Sequence, residues 1–289
     1  MQPPLPSPFP TWHNAEYSAI DPTNPKHSAK GKVILITGGG AGIGQAVAHA
    51  FALAGATKIA ILGRREQKLL DTKADLEAKF PGVDVYAARA DVTDQAAIDA
   101  VFLKVANTFG NIDILVNNAG FQPALQPIKD AKLDDVWEAY EINVKGSIIV
   151  TKAFLRHASA KASLINFSTG VAHLPFMPGM SAYGGSKLAA TKFFEYVQAE
   201  NPDLQVINLA PGVIVTELQQ KIIDAGIILP YDDIKLPAHF TVWAASPEAA
   251  FLKGKLIWCN WDIDELKAKK SELETTGFLT LGLRGFPEQ

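Results

Sequence analysis

The chain has a single cysteine, Cys259, in 289 residues. That excludes an internal disulfide and a cysteine-built metal cluster, and it fits a reducing compartment. A basic excess is missing too: 27 Lys and Arg stand against 30 Asp and Glu, a net charge of −3. No bulk attraction to nucleic acid or to an anionic membrane is therefore expected. Long apolar runs are absent, since each is short or broken by glycine, and none reads as a membrane span. The N-terminus lacks the basic start and apolar core of a secretory signal, so the expectation is a cytoplasmic protein. What the chain does have is 48% apolar residues, enough for one large domain or two small ones.

Proline is unevenly spread. Seven of the 18 fall by position 25, mixed with Ser, Thr and Asn. Such a stretch cannot build a repeating helix or a central strand. It is either a disordered leader or an arm along the domain or a neighbouring subunit, with Trp12, Tyr17 and Ile20 as anchors. From Lys32 onwards strand and helix patterns alternate. Short apolar runs at 33–36, 58–62, 83–89, 112–116, 162–167, 204–209 and 255–258 read as strands buried on both faces. Helical patterns at 43–54, 65–79, 94–108, 132–157 and 182–200 separate them, and another follows near 262–271. The alternation predicts an α/β fold: a doubly wound parallel sheet of about seven strands with helices on both faces. The expected division is an arm over 1–30, a sheet domain over 31–259, and a helix with a tail over 260–289.

In such a sheet ligands bind beyond the carboxyl ends of the strands. After the first strand comes Thr37-Gly38-Gly39-Gly40-Ala41-Gly42-Ile43-Gly44, then a helix. Glycines there permit a tight turn and bring backbone N–H groups against a pyrophosphate. About twenty residues on, an acid would bind a ribose 2′-hydroxyl and an arginine a 2′-phosphate. The residue found is Arg64, which favours NADP over NAD; the plain alternative is an arginine solvating a helix start. Asp91-Val92, after the third strand, is placed to touch an adenine, although Asp91 or Thr93 could instead cap a helix.

Tyr183 and Lys187, in Ser181-Ala182-Tyr183-Gly184-Gly185-Ser186-Lys187, lie four apart on one helix face. An ammonium beside a phenol favours the phenolate, which suits a general acid/base for alcohol–carbonyl chemistry. Spacing alone is not diagnostic, because Tyr231 and Lys235 share it. That second pair lies between Pro230 and Pro237 and reads as a solvated surface turn.

Together these motifs resemble the short-chain dehydrogenase/reductase family, in its compact single-domain form with a Rossmann fold. The similarity runs from about Gly31 to Trp258. Thr37 to Gly44 matches the cofactor loop. Asn117-Asn118-Ala119-Gly120 matches the signature that supports the sheet and borders the cofactor. Asn143 matches the asparagine that holds a proton-relay water, Tyr183 and Lys187 the catalytic pair, and Pro211-Gly212-Val213-Ile214-Val215-Thr216 the loop capping the nicotinamide. The Pro-rich leader and Trp-rich tail look like fungal members. The resemblance implies NADP(H), held by Gly38, Gly42, Ile43, Gly44, Arg64, Asp91, Val92, Asn118, Ala119, Gly120, Tyr183, Lys187, Pro211, Gly212, Ile214 and Thr216. It also implies a homodimer or homotetramer built on the two long helices near 132–157 and 182–200.

The serine position departs from the family. Counted from the fifth strand, Thr169 takes the catalytic serine's place, while Ser168 has its residue type. Counting 13 back from Tyr183 reaches Gly170. One of Ser168 and Thr169 should face the substrate, since strand neighbours point opposite ways. Residues 217–236, with Leu218, Ile222, Ile223, Ile227, Ile228 and Leu229, suggest an apolar substrate lid or else an ordinary packed helix. Phe121, Phe176, Met177 and Met180 suggest a lipophilic substrate. His173 reads as a loop histidine contacting solvent or backbone, and no metal constellation is expected. The competing functions are a non-catalytic NADP(H) sensor or scaffold, and an isomerase or dehydratase on the same scaffold.

Overall fold

The computed structural model describes residues 3–218, 220, 223, 226 and 229–283. Its strands are β1 (Val33–Thr37), β2 (Lys58–Gly63), β3 (Asp84–Arg89), β4 (Ile112–Asn117), β5 (Ala158–Phe167), β6 (Gln205–Ala210) and β7 (Leu256–Trp258). They form one parallel sheet in the order β3-β2-β1-β4-β5-β6-β7. The chain winds outward from β1 to β3, returns, and winds outward again from β4 to β7. The reversal between β1 and β4 is the switch point at which such sheets bind ligands. The doubly wound sheet is as expected from the strand pattern.

Helices α1 (Gly42–Leu53), α2 (Glu66–Lys79), α3 (Gln95–Phe109), α4 (Leu133–Tyr140), α5 (Ser147–His157) and α6 (Ser181–Glu200) cover the sheet, with α7 (Lys235–Ala244), α8 (Ile263–Ala268) and α9 (Lys270–Thr275) following. The continuous apolar runs have a direct cause. On β1, Ile34 and Ile36 pack with Phe51 of α1 and Trp243 of α7, whereas Val33 and Leu35 pack with Phe102 of α3, Phe154 of α5 and Phe194 of α6. Both faces are covered, so alternation has no reason to appear.

Three elements differ from the sequence reading. The helix expected over 132–157 is interrupted by a π-turn, Glu141–Gly146, between α4 and α5. The turn contains Asn143, whose side-chain amide is engaged outside the helix (below), and π-turns of this kind gather at functional sites. The helix α3 is capped by Asp94, whose carboxylate accepts from Ala97 N–H at 3.1 Å. Asp91 instead turns onto Thr93, accepting from its N–H at 2.9 Å and its hydroxyl at 2.8 Å, so neither Asp91 nor Thr93 is the cap. Finally, Lys235 and Pro237 belong to the first turn of α7 rather than to a loop, a position where proline's missing N–H costs nothing.

The Pro-rich segment is packed. Phe9, Trp12 and Ile20 are buried in the same apolar cluster as Ile34 and Ile36. Trp12 forms a bridge to Trp261, and Trp12 and Trp258 have ring centroids 5.5 Å apart. The Tyr17 hydroxyl donates to Trp261 O at 3.2 Å and accepts from Ile263 N–H at 3.1 Å. His13 reaches Asp262 at 2.9 Å, and Thr11 donates to Glu265 at 2.5 Å. Arm and C-terminal segment thus share one interface.

Candidate active site

The strand ends converge through hydrogen bonds that only register could arrange. Asn117, Asn166 and Asn208 stand side by side on β4, β5 and β6. Asn117 Nδ2 donates to Asn166 Oδ1 at 2.9 Å, and Asn166 Nδ2 to Asn208 Oδ1 at 2.8 Å. This buried ladder satisfies polar groups that would otherwise be costly at the end of an apolar strand. One residue on, Asn118 Nδ2 donates to Thr37 O at 2.9 Å, while Thr37 Oγ1 accepts from Asn118 N–H and Ala119 N–H at 3.0 and 2.9 Å. The glycine loop is therefore fastened to the β4 signature. Gly44 must be glycine, since a Cβ there would lie 2.3 Å from Gly38 O.

Tyr183 and Lys187 occupy the start of α6. Tyr183 is half-buried, and loss of water around it pushes its pKa up to about 12; the Thr169 side chain acts in the lowering direction but is outweighed. Lys187 is buried, and the same desolvation pulls it down to about 8. Its ammonium donates to Phe167 O at 2.6 Å. From sequence, Lys187 is expected to depress the Tyr183 pKa; in the fold burial dominates, leaving a protonated phenol at neutral pH. Beside Lys187 lies Gly120, where a Cβ would meet Lys187 Nζ and Asn143 Oδ1, each at 3.4 Å. Asn143 is held at both ends: Oδ1 accepts from Phe121 N–H at 2.8 Å, and Nδ2 donates to Phe121 O at 2.8 Å and to Ser186 Oγ at 2.9 Å. Ser186 donates in turn to Tyr183 O at 2.9 Å. The sequence reading misses this serine, although its place between the tyrosine and the lysine is a usable signal.

The two hydroxyls at the end of β5 separate. Ser168 points into the core, with Oγ 2.6 Å from Thr191 Oγ1. Thr169 faces Tyr183 and also accepts from Val171 N–H at 3.3 Å. Gly170 explains the shift. A Cβ there would lie 2.2 Å from the Trp258 ring, so the indole occupies the place of a side chain at the position 13 before Tyr183. The Trp258 indole N–H also donates to His173 Nε2 at 2.9 Å. His173 thus contacts a side chain rather than solvent or backbone alone, and burial lowers its pKa.

On the cofactor side, Arg64 is exposed and makes no ion pair among the described residues. Arg65 pairs with Glu217, a contact across the mouth of the glycine loop that joins residues 152 apart. Nothing local in the sequence marks Glu217 for this role. Gly42 lies against Thr216, whose Cγ2 would be 3.3 Å from a Cβ added at the glycine. Ile214 and Val92 are buried, and Pro211 and Gly212 are half-buried. Of the apolar candidates, Phe176 is 87% exposed whereas Met180, at the N-cap of α6, is buried. In the expected lid, Ile222, Ile227 and Ile228 lie outside the described residues, and Leu218, Ile223 and Leu229 are half-buried. A cavity of about 280 Å³ lined by Lys32, Asp113, Lys161 and Gln205 opens at the amino ends of β1, β4, β5 and β6, at the far end of the sheet from the strand carboxyl ends.

The short chain dehydrogenase family model matches residues 32–225. The chain belongs to the short-chain dehydrogenase/reductase family. It is 34% identical over 284 residues to a short chain dehydrogenase/reductase of Claviceps purpurea, covering 96% of this chain and 95% of that one. A short chain dehydrogenase from Burkholderia cenocepacia, solved in complex with NADP, superposes with a TM-score of 0.72 at 28% identity, over 79% of this chain and 96% of that one. A gluconate 5-dehydrogenase from the same organism, solved with NADP and tartrate, gives 0.74 at 28% identity, over 83% and 96%. Among the described residues no helix is long and apolar enough to cross a membrane.

Proposed function

We propose that the chain is an NADP(H)-dependent oxidoreductase that interconverts a carbonyl and a secondary alcohol on a small, lipophilic molecule. The observation that carries this is the placement of Thr169 against Tyr183, with Lys187 one turn further along α6. The site fits a dinucleotide. Gly38 and Gly42 have left-handed φ of 68° and 56°, and Gly120, having no side chain, keeps its backbone close to Lys187. Gly38, Gly42, Ile43, Gly44, Asn118, Ala119, Gly120, Pro211, Gly212, Ile214 and Thr216 would hold it, with Asp91 and Val92 at the adenine and Arg64 at the 2′-phosphate. When bound, the cofactor supplies hydride to the carbonyl carbon.

The remaining work belongs to side chains. The Thr169 hydroxyl donates a hydrogen bond to the carbonyl oxygen as negative charge develops there. Tyr183, protonated at neutral pH, delivers the proton to that oxygen. Lys187 carries the positive charge that stabilises the phenolate left behind, and Asn143 fixes Phe121 and Ser186 around the pair. A cytoplasmic homodimer or homotetramer through α4, α5 and α6 is part of the proposal, supported by the exposed Leu133, Trp137, Leu188 and Tyr196 on those helices.

The test is loss of NADPH absorbance across ketones, aldehydes and quinones. Cofactor binding without turnover on any of them would favour a sensor instead, and substrate conversion without net change in NADPH an isomerase or dehydratase. Cofactor choice is tested separately. Replacing Arg64 with Asp should weaken NADPH by roughly tenfold to a hundredfold, as loss of a charge-assisted contact does. The KM for NADH should hold or fall. Because Ala41 stands where many NADP-preferring relatives carry a basic residue, the wild-type preference is expected to be modest. An unchanged NADPH-to-NADH ratio of kcat/KM would remove Arg64 from the site.

A further inference from the structure

The loop after β6 is held by residues outside the segment that matches the family. Gly212 has φ +75°, in the left-handed region, and a Cβ there would lie 2.3 Å from Asp232 Oδ2 and 3.0 Å from Asn260 Oδ1. Asp232 Oδ2 accepts from Val213 N–H at 2.8 Å, and Asp232 N–H donates to Val213 O at 2.8 Å. One residue thus satisfies both backbone groups of Val213. Behind it stands Asn260, wholly buried, whose side chain also hydrogen-bonds the Asp232 carboxylate. Asn260 Nδ2 donates to His13 O at 2.9 Å, and Asn260 O accepts from His13 N–H at 2.8 Å. Next to Asp232, Asp233 N–H donates to Asn14 O at 2.7 Å. The family match spans 32–225, so Asp232, Asn260 and the arm all lie beyond it.

We infer that Asp232 is a positioning residue for the cofactor, clamping the Gly212–Val213 backbone and braced by the arm, through Asn260 by His13 and through Asp233 by Asn14. This rests on the reading of Pro211 to Thr216 as the loop that closes over the nicotinamide. Geometry favours a carboxylate for the task. It has acceptors for both the Val213 N–H and the Asn260 side chain, and its bonds are charge-assisted. With the carboxylate removed, Val213 N–H loses its partner and Gly212 loses the group it is packed against. The loop then has to be ordered by the dinucleotide itself, at a cost in affinity.

The experiment uses the full chain and two readouts: NADPH affinity by fluorescence titration, and amide hydrogen exchange at Val213 in the free protein. Asp232→Ala should speed Val213 exchange and weaken NADPH about tenfold, the loss expected of one such bond. Asp232→Asn, which keeps an acceptor, should recover most of both. Asn260→Ala should weaken binding in the same direction, and the Asp232→Ala/Asn260→Ala double variant should lose less than the two singles together, because both act on one clamp. Variants that bind NADPH as tightly as wild type overturn the inference, whether or not Val213 exchange changes. A wild-type chain that binds neither NADPH nor NADH, with Val213 exchange still dependent on Asp232, would sink the cofactor reading itself, a distinguishable result.

Discussion

Two tyrosine–lysine pairs with identical spacing sit in different physical worlds. Tyr183 and Lys187 start α6, where burial moves the phenol up to about 12 and the ammonium down to about 8. Tyr231 is 39% exposed, and Lys235 pairs at 3.1 Å with Glu16 of the arm, which raises its pKa. One pair is desolvated and opposite charge is scarce around it; the other is solvated and neutralised by a carboxylate. The same spacing puts Tyr183 and Lys187 on one helix face but leaves Tyr231 ahead of the first turn of α7, and the surroundings decide whether a proton can usefully move within a pair.

The sharpest way to break the comparison is Tyr183→Phe. It should lower kcat by about a hundredfold to ten-thousandfold, the range for a lost general acid, while the cofactor dissociation constant stays put. Survival of kcat would remove Tyr183 from the chemistry. Thr169→Ala follows, with an expected loss of about a hundredfold to a thousandfold in kcat if its hydroxyl steadies the oxyanion. Ser168→Ala is the control. It removes the Ser168–Thr191 hydrogen bond while Thr191 Oγ1 keeps its bond to Lys187 O, and should lower stability by about 1 kcal/mol with little change in kcat. Reversed effects would mean that Ser168 is the reacting neighbour.

A smaller effect tests Lys187 through pH. Its folded pKa, about 8, is depressed from the ordinary 10.5. Reductive kcat/KM should therefore hold below pH 8 and fall about tenfold by pH 9 as the ammonium is lost. Between pH 8 and 10.5 the unfolded chain binds the extra proton, so this group's contribution to stability rises with pH. Tyr183 acts oppositely between pH 10 and 12, where the folded state keeps a proton that the unfolded chain releases. A flat kinetic profile across pH 7–9 would show that Lys187 stays charged. Smallest of all, Tyr231→Phe should change kcat/KM by less than about twofold, as an exposed surface substitution does; a large loss would erase the distinction between the pairs.

Much of this is legible in the chain because its signals are local. A strand covered on both faces is a short apolar run, a phosphate loop is a glycine cluster between strand and helix, and Tyr183 and Lys187 are four residues apart. What stays hidden depends on register or long reach. The Asn117–Asn166–Asn208 ladder exists only once β4, β5 and β6 are aligned. That Thr169 faces Tyr183 while Ser168 turns to Thr191, and that Trp258 fills the space beside Gly170 from a strand about ninety residues later, show only in the assembled fold. Arg65 finds Glu217 across the fold, and the arm's packing on Trp258 and Trp261 has no periodicity to announce it. Asp94 is hard to pick out as a cap because Asp91 and Thr93 offer the same chemistry just before it.

The interface between arm and C-terminal segment also sets the timing of assembly. His13 meets Asp262 across 249 residues, so the ribosome makes the first partner long before the second exists. Phe9 and Trp12 must travel exposed until Trp258 and Trp261 emerge, and the His13–Asp262 contact closes a loop of 249 residues. Docking of the arm is then a late step, which makes a nascent chain stopped before residue 258 open to proteolysis within the arm.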